Sequence, residues 1–127
     1  MPAPRVLLVW DEHWPRALLR AQLLEEGYDA IGVPNWALAM RCPTEEPGRG
    51  PVRLILIDQA LAEQRPPRVV EALRGLHPQA KVVLLARGFG PLPPGRWDRI
   101  IRRPVSIGQV VAVVKDLVPL TPAGEGA

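Results

Sequence analysis

Residues 5–30 read RVLLVWDEHWPRALLRAQLLEEGYDA, and this stretch sets the fold class. Arg5–Trp10 is a short, unbroken apolar run, the pattern of a strand buried on both faces, as in a parallel sheet. Asp11, Glu12, His13 and Trp14 follow as a loop. Pro15 suits the opening of a helix, where its missing N–H would have no partner anyway. Arg16–Glu26 then sets Leu19 and Leu23 one turn apart, with Leu18 and Leu24 beside them. Gly27 stands where a left-handed helix end favours glycine.

The same alternation continues. Tyr28–Val33 reads as a second, weaker strand, and Asn35 as the cap of a short helix over Trp36–Arg41 that ends before Pro43. Residues 43–51 are a loop rich in Pro, Gly, Glu and Arg. Arg53–Ile57 (RLILI) is a third buried strand, ending at Asp58. Pro66 and Pro67 fit the first turn of a helix that continues over Arg68–Leu76, with Val69, Val70, Leu73 and Leu76 on one face. Lys81–Ala86 (KVVLLA) is a fourth buried strand. Gly88–Gly95 (GFGPLPPG) cannot hold a useful length of helix. Trp97–Arg102 is a fifth strand, broken by Arg103-Pro104. Ser106 caps a last helix through Ile107, Val110, Val111, Val114, Leu117 and Val118. Valine favours the rival reading, a strand over Val110–Val114, but helical spacing and the cap outweigh it. Pro119 ends the helix, and residues 119–127 are expected to be a disordered tail. Strands alternating with helices imply an α/β fold, a parallel sheet with helices on both faces.

Composition fits this. The 127 residues suit one domain, and 47% hydrophobic with 23% charged residues is the balance of a chain that buries a core. A single cysteine, Cys42, excludes a disulfide framework and a multi-cysteine metal site. A net charge of +3 permits an acidic partner without demanding one. No apolar run approaches the span of about 20 residues a bilayer needs, and no leader is recognisable. The expected setting is cytoplasmic, with no membrane contact.

In such sheets ligands bind off the carboxyl ends of the strands. Asp11 follows the first strand and Asp58 the third, so adjacent strands would bring both carboxylates to one crevice, with Glu12 next door. Clustered carboxylates repel and favour a hard divalent cation or a proton. Arg103, after the fifth strand, offers positive charge to the same edge. A single Asp after a strand is more commonly a loop residue or helix cap. Trp10, Trp14 and Trp36 fall at this edge, as an aromatic patch or as shields for the sheet ends. Arg96, Arg99, Arg102 and Arg103 cluster around the fifth strand, as a binding face or a charge-protected edge. His13 and His77 read as loop residues and Cys42 as an idle thiol. There is no Gly-rich phosphate loop and no Gly-x-Ser-x-Gly elbow, which argues against a dinucleotide-binding domain and a hydrolase.

Taken together, VLLVWDEHWPRALLRAQLLEEGYDA, LILID, KVVLLAR and RRPVS resemble, in order and spacing, the receiver domain of bacterial response regulators across residues 5–118. The resemblance implies a flavodoxin-like (CheY-like) doubly wound five-stranded sheet of order 2-1-3-4-5, with the family's fourth helix shortened or lost at GFGPLPPG. It places Asp58 at the phosphoacceptor and Asp11 at the second of the family's two Mg²⁺-binding acids. Trp10 stands at the first acid, Leu85 at the hydroxyl-bearing switch position and Arg103 at the invariant lysine. It implies weak Mg²⁺ binding by Asp11 and Asp58, with Glu12 in the outer shell, and impaired phosphoryl chemistry, because an acid and a hydroxyl donor are missing and a planar guanidinium replaces an ammonium. The implied function is that of an atypical, stand-alone receiver-like domain over residues 1–118. It would act without catalysis, through contacts with a histidine kinase or a downstream signalling protein, at a face including Arg99, Arg102, Val105 and Ile107; a homodimer is compatible. The alternatives are a small basic nucleic-acid-binding protein, disfavoured by the modest charge excess, and a structural adaptor without phosphorylation.

Overall fold

The computed structural model describes residues 2–120. Five parallel strands form one sheet of order β2-β1-β3-β4-β5: β1 (Arg5–Val9), β2 (Asp29–Val33), β3 (Val52–Asp58), β4 (Lys81–Ala86) and β5 (Arg99–Arg102). This is the expected strand order. Helices α1 (His13–Glu26) and α5 (Ile107–Leu117) cover one face, while α2 (Trp36–Met40), α3 (Gln59–Ala62) and α4 (Pro67–Leu76) cover the other.

The three central strands are apolar at consecutive positions because both faces are covered. Leu7, Val9, Ile55, Ile57 and Leu84 pack towards α2–α4, and Val6, Leu8, Leu54, Leu56 and Leu85 towards α1 and α5. Gly27 ends α1 with φ +108°, and its N–H reaches back to Leu24 O. The Tyr28 hydroxyl donates to Val118 O at 2.6 Å, tying the end of α1 to the end of α5. In α5 the Ser106 Oγ accepts from Gln109 N and the Gln109 side chain accepts from Ser106 N, a reciprocal cap that offsets the low helix propensity of its valines.

Several boundaries differ from the expected ones. Helix α1 opens at His13, so Pro15 sits within its first turn, where proline is also tolerated. Strand β5 starts at Arg99. Trp97 lies before it, donates its indole N–H to Pro93 O and packs against the α2–α4 side of the core. Helix α3 was not anticipated; four residues carry no readable period, and its cap is the Asp58 carboxylate. Leu120 packs against the α1–α5 side, and residues 121–127 of the expected tail lie outside the described residues.

Residues 87–98, between β4 and β5, contain no helix. Asp98 anchors this connection: its Oδ2 accepts from Val82 N at 2.7 Å and from the Arg74 guanidinium at 3.0 Å. Arg74 also donates to Arg96 O. Burial alone would raise the Asp98 pKa, but these donors hold it below the usual carboxylate value. Phe89, in the loop, and Ile100, on β5, are left exposed.

Candidate functional site

The register determines what meets at the carboxyl edge. Val9 pairs with Ile57, so Trp10 and Asp58 are level on neighbouring strands, and Asp58 is level with Leu85 on β4. Asp58 is only 2% exposed. Both of its oxygens are engaged: Oδ2 accepts from Ala60 N at 3.1 Å, and Oδ1 accepts from Arg103 Nη2 at 2.7 Å. The same guanidinium lies 5.5 Å from the centroid of the Trp10 ring and 4.0 Å from Glu12 Oε1. One arginine therefore ties a buried acid, an exposed acid and an aromatic face together.

Gly88 helps hold Arg103 in place. A Cβ there would come within 2.5 Å of Arg103 O, so only glycine lets the chain leaving β4 pass this close to the chain leaving β5. Arg103 N also donates to Ala86 O. Leu85 is fully buried among the residues facing α1 and α5. It offers the edge no hydroxyl.

Asp11 follows Trp10 at the same edge as Asp58. Asp11 is exposed, and its side chain makes no ion pair or hydrogen bond among the described residues. Glu12, the residue before α1, comes nearest to sharing the site, through Arg103. Among the described residues, no three His, Cys, Asp or Glu side chains form a group that could hold a metal ion. Of the expected Mg²⁺ ligands Asp11, Glu12 and Asp58, Asp58 is the one whose oxygens are both engaged within the chain. Arg103 supplies the positive charge at Asp58 Oδ1.

The three tryptophans form no common patch. Trp10 is buried on the α1–α5 side, Trp36 is buried on the other side with its indole N–H on Leu61 O, and Trp14 is exposed. The arginine cluster is largely committed: Arg99 pairs with Asp116 at 2.6 Å, Arg96 with Glu71 at 3.5 Å and Arg103 with Asp58. Arg102 donates to the carbonyls of Arg87 and Gly90. Val105 and Ile107 are half-buried against the α1–α5 core.

Gln59 is a site residue that sequence reasoning missed. It is buried, its Oε1 accepts from Arg87 N at 2.7 Å, and its amide reaches Glu63 and Pro91 O. It ties the end of β3 to the loop after β4. The available signal was a polar residue directly after the apolar run ending at Asp58.

The fold is that of the response-regulator receiver domain. A response regulator from Thermotoga maritima is 15% identical, with 93% of this chain and 99% of that chain covered and a TM-score of 0.67. A CheY-like receiver domain from Methylobacillus flagellatus is 19% identical, with 91% and 98% covered and a TM-score of 0.69. A response regulator from Burkholderia pseudomallei, crystallised with a phosphorylated aspartic acid, a calcium ion and citrate, is 17% identical, with 91% and 67% covered and a TM-score of 0.68. No family model and no curated protein sequence matches the chain. Among the described residues no helix is long and apolar enough to cross a membrane.

Proposed function

We propose that residues 1–118 form a receiver-like signalling module that works through protein contacts, with Asp58 held in a neutralised, closed state by Arg103. The observation that carries this is the 2.7 Å pair between Arg103 Nη2 and Asp58 Oδ1. A phosphoacceptor must present a free carboxylate oxygen in line with the phosphorus, and accumulating charge must be neutralised as the group transfers. Here one oxygen is occupied by a guanidinium and the other by a backbone N–H, with the Trp10 ring beside them. Phosphorylation at Asp58 and Mg²⁺ binding are therefore expected to be weak, since each must displace Arg103.

The contact face of this module lies where the fold lacks a helix. Phe89 and Ile100 are exposed apolar groups, and Arg102 lies beside them on β5. Exposed aromatic and aliphatic anchors flanked by arginine suit a protein partner, such as a kinase or a downstream signalling protein. Around β5, Arg96, Arg99 and Arg103 are each paired with an acid, which lowers the charge this face offers a nucleic-acid backbone.

Amide NMR during titration with Mg²⁺ and beryllofluoride tests the reading. Signals around Asp11, Asp58 and Leu85 are expected to stay in place at millimolar Mg²⁺. Saturable shifts there would show a competent phosphoacceptor. In the organism, Asp58→Asn is expected to preserve function and Phe89→Ser with Ile100→Ser to abolish it.

A further inference from the structure

Where α1 borders β2, three basic residues share one stripe of the helix. His13, Arg16 and Arg20 stand three and four positions apart, so their side chains lie on the same face. Strand β2 pairs only with β1, and its other edge has no partner strand. Each arginine is fixed by one bond to the main chain: Arg16 Nη1 donates to Trp10 O at 2.6 Å, and Arg20 Nε donates to Ala30 O at 3.1 Å. Gly32 lets the Arg16 stem lie close over β2, since a Cβ there would come within 3.1 Å of its Cγ and Cδ.

These bonds leave most of each guanidinium unused. Among the described residues, Arg16 Nε and Nη2 and Arg20 Nη1 and Nη2 have no partner, and neither arginine forms an ion pair. The free donors are accessible: Arg20 is exposed, and the free Arg16 nitrogens are not buried. Both arginines and His13 line an open cleft of ≈ 440 Å³, with Ala17, Asp29, Ile31 and Arg49 among its other walls. The acid in this cleft is committed, because both Asp29 oxygens accept from Arg49, which also binds Glu46. Like charges one helical turn apart repel, so Arg16 and Arg20 together favour an anion between them.

We propose that this cleft binds a small phosphate monoester, whose dianionic phosphoryl group is shared by Arg16 and Arg20. Two unpaired cations match two negative charges, and guanidinium forks suit phosphate oxygens by geometry as well as charge. Side chains one turn apart start from Cβ atoms about 5–6 Å from each other. One tetrahedral group with three terminal oxygens can accept from both forks, whereas a carboxylate offers only two oxygens. Ala17 and Ile31 give the organic part of the ester an apolar wall.

Methyl phosphate is the probe. Titration into the ¹⁵N-labelled protein is expected to give saturable shifts of the Arg16 and Arg20 Nε–H signals and of the Gly32 amide. The monoanion dimethyl phosphate and the carboxylate acetate are both expected to bind more weakly. Arg20 is exposed, so Arg20→Gln is expected to fold normally and to lower the methyl phosphate affinity at least about fivefold. Arg68→Gln, which removes an exposed charge from α4, is expected to leave that affinity unchanged. Shifts confined to the Arg103 side chain, dimethyl phosphate or acetate binding as tightly as methyl phosphate, or equal losses in Arg20→Gln and Arg68→Gln would overturn the assignment.

Discussion

The two ends of one sheet solve the problem of a buried charge differently. At the carboxyl end, buried Asp58 meets the guanidinium of Arg103. At the amino end, buried Arg5 meets only carbonyl oxygens and leaves one nitrogen unpaired. The first end is closed by its own chain, and the second is left incomplete. At the carboxyl edge both Asp58 oxygens are engaged within the chain, whereas at the opposite rim one Arg5 nitrogen is not.

Breaking the closed end should have the largest effect. Arg103→Met leaves the Asp58 carboxylate buried without its cation. Allowing for the partial exposure of the arginine, the expected loss is about 2 kcal/mol of stability, read by urea denaturation. Adding Asp58→Asn should recover most of it; a loss that persists in the double variant would mean that the pair is not the cause. The milder Arg103→Lys is expected to loosen Oδ1, because a strongly hydrated ammonium holds a buried carboxylate and the Trp10 face less well than the guanidinium does. Mg²⁺ affinity should then rise at least about tenfold, or about 1.4 kcal/mol, by calorimetric titration.

The open end sharpens the comparison through pH. Burial, and secondarily the Arg5 charge, hold His77 below its ordinary pKa. The fold therefore favours the neutral imidazole. Its contribution is whole above the unfolded value of about 6.5 and is lost as pH falls through the lower folded value. Stability measured from about pH 7 to about pH 5 should decline, and the decline should be shallower in His77→Gln. The smallest effect is expected between the two ends, at the clasp on the β4–β5 connection. Asp98→Asn keeps an acceptor for Val82 N but weakens the partly exposed pair with Arg74, a change below about 1 kcal/mol.

The fold was legible because both faces of the sheet are covered. RVLLVW, RLILI and KVVLLA can be little else than central strands, and the glycines and prolines of residues 88–95 forbid a helix there. The site was legible only in part. The sequence marked Asp58 and Arg103 as neighbours at one edge, but it could not show that the side chain of Arg103 would reach Asp58. The acid–base pair was not foreseen because side-chain reach across about 45 positions is not written in local pattern. The amino rim was not legible at all. Arg5 reads as an ordinary charged strand end, and His77, expected in a loop, is buried after α4. Their burial depends on how residues 43–51 fold over the start of β1, a contact across about 40 positions that local pattern does not encode.

The most direct test of the neutralised edge is a crystal structure of the wild-type protein soaked in Mg²⁺ and beryllofluoride. Arg103 should remain on Asp58 Oδ1, with no ion or fluoride density on the carboxylate. A metal and a phosphoryl mimic bound to Asp58, with Arg103 swung away and Asp11 turned in, would contradict it.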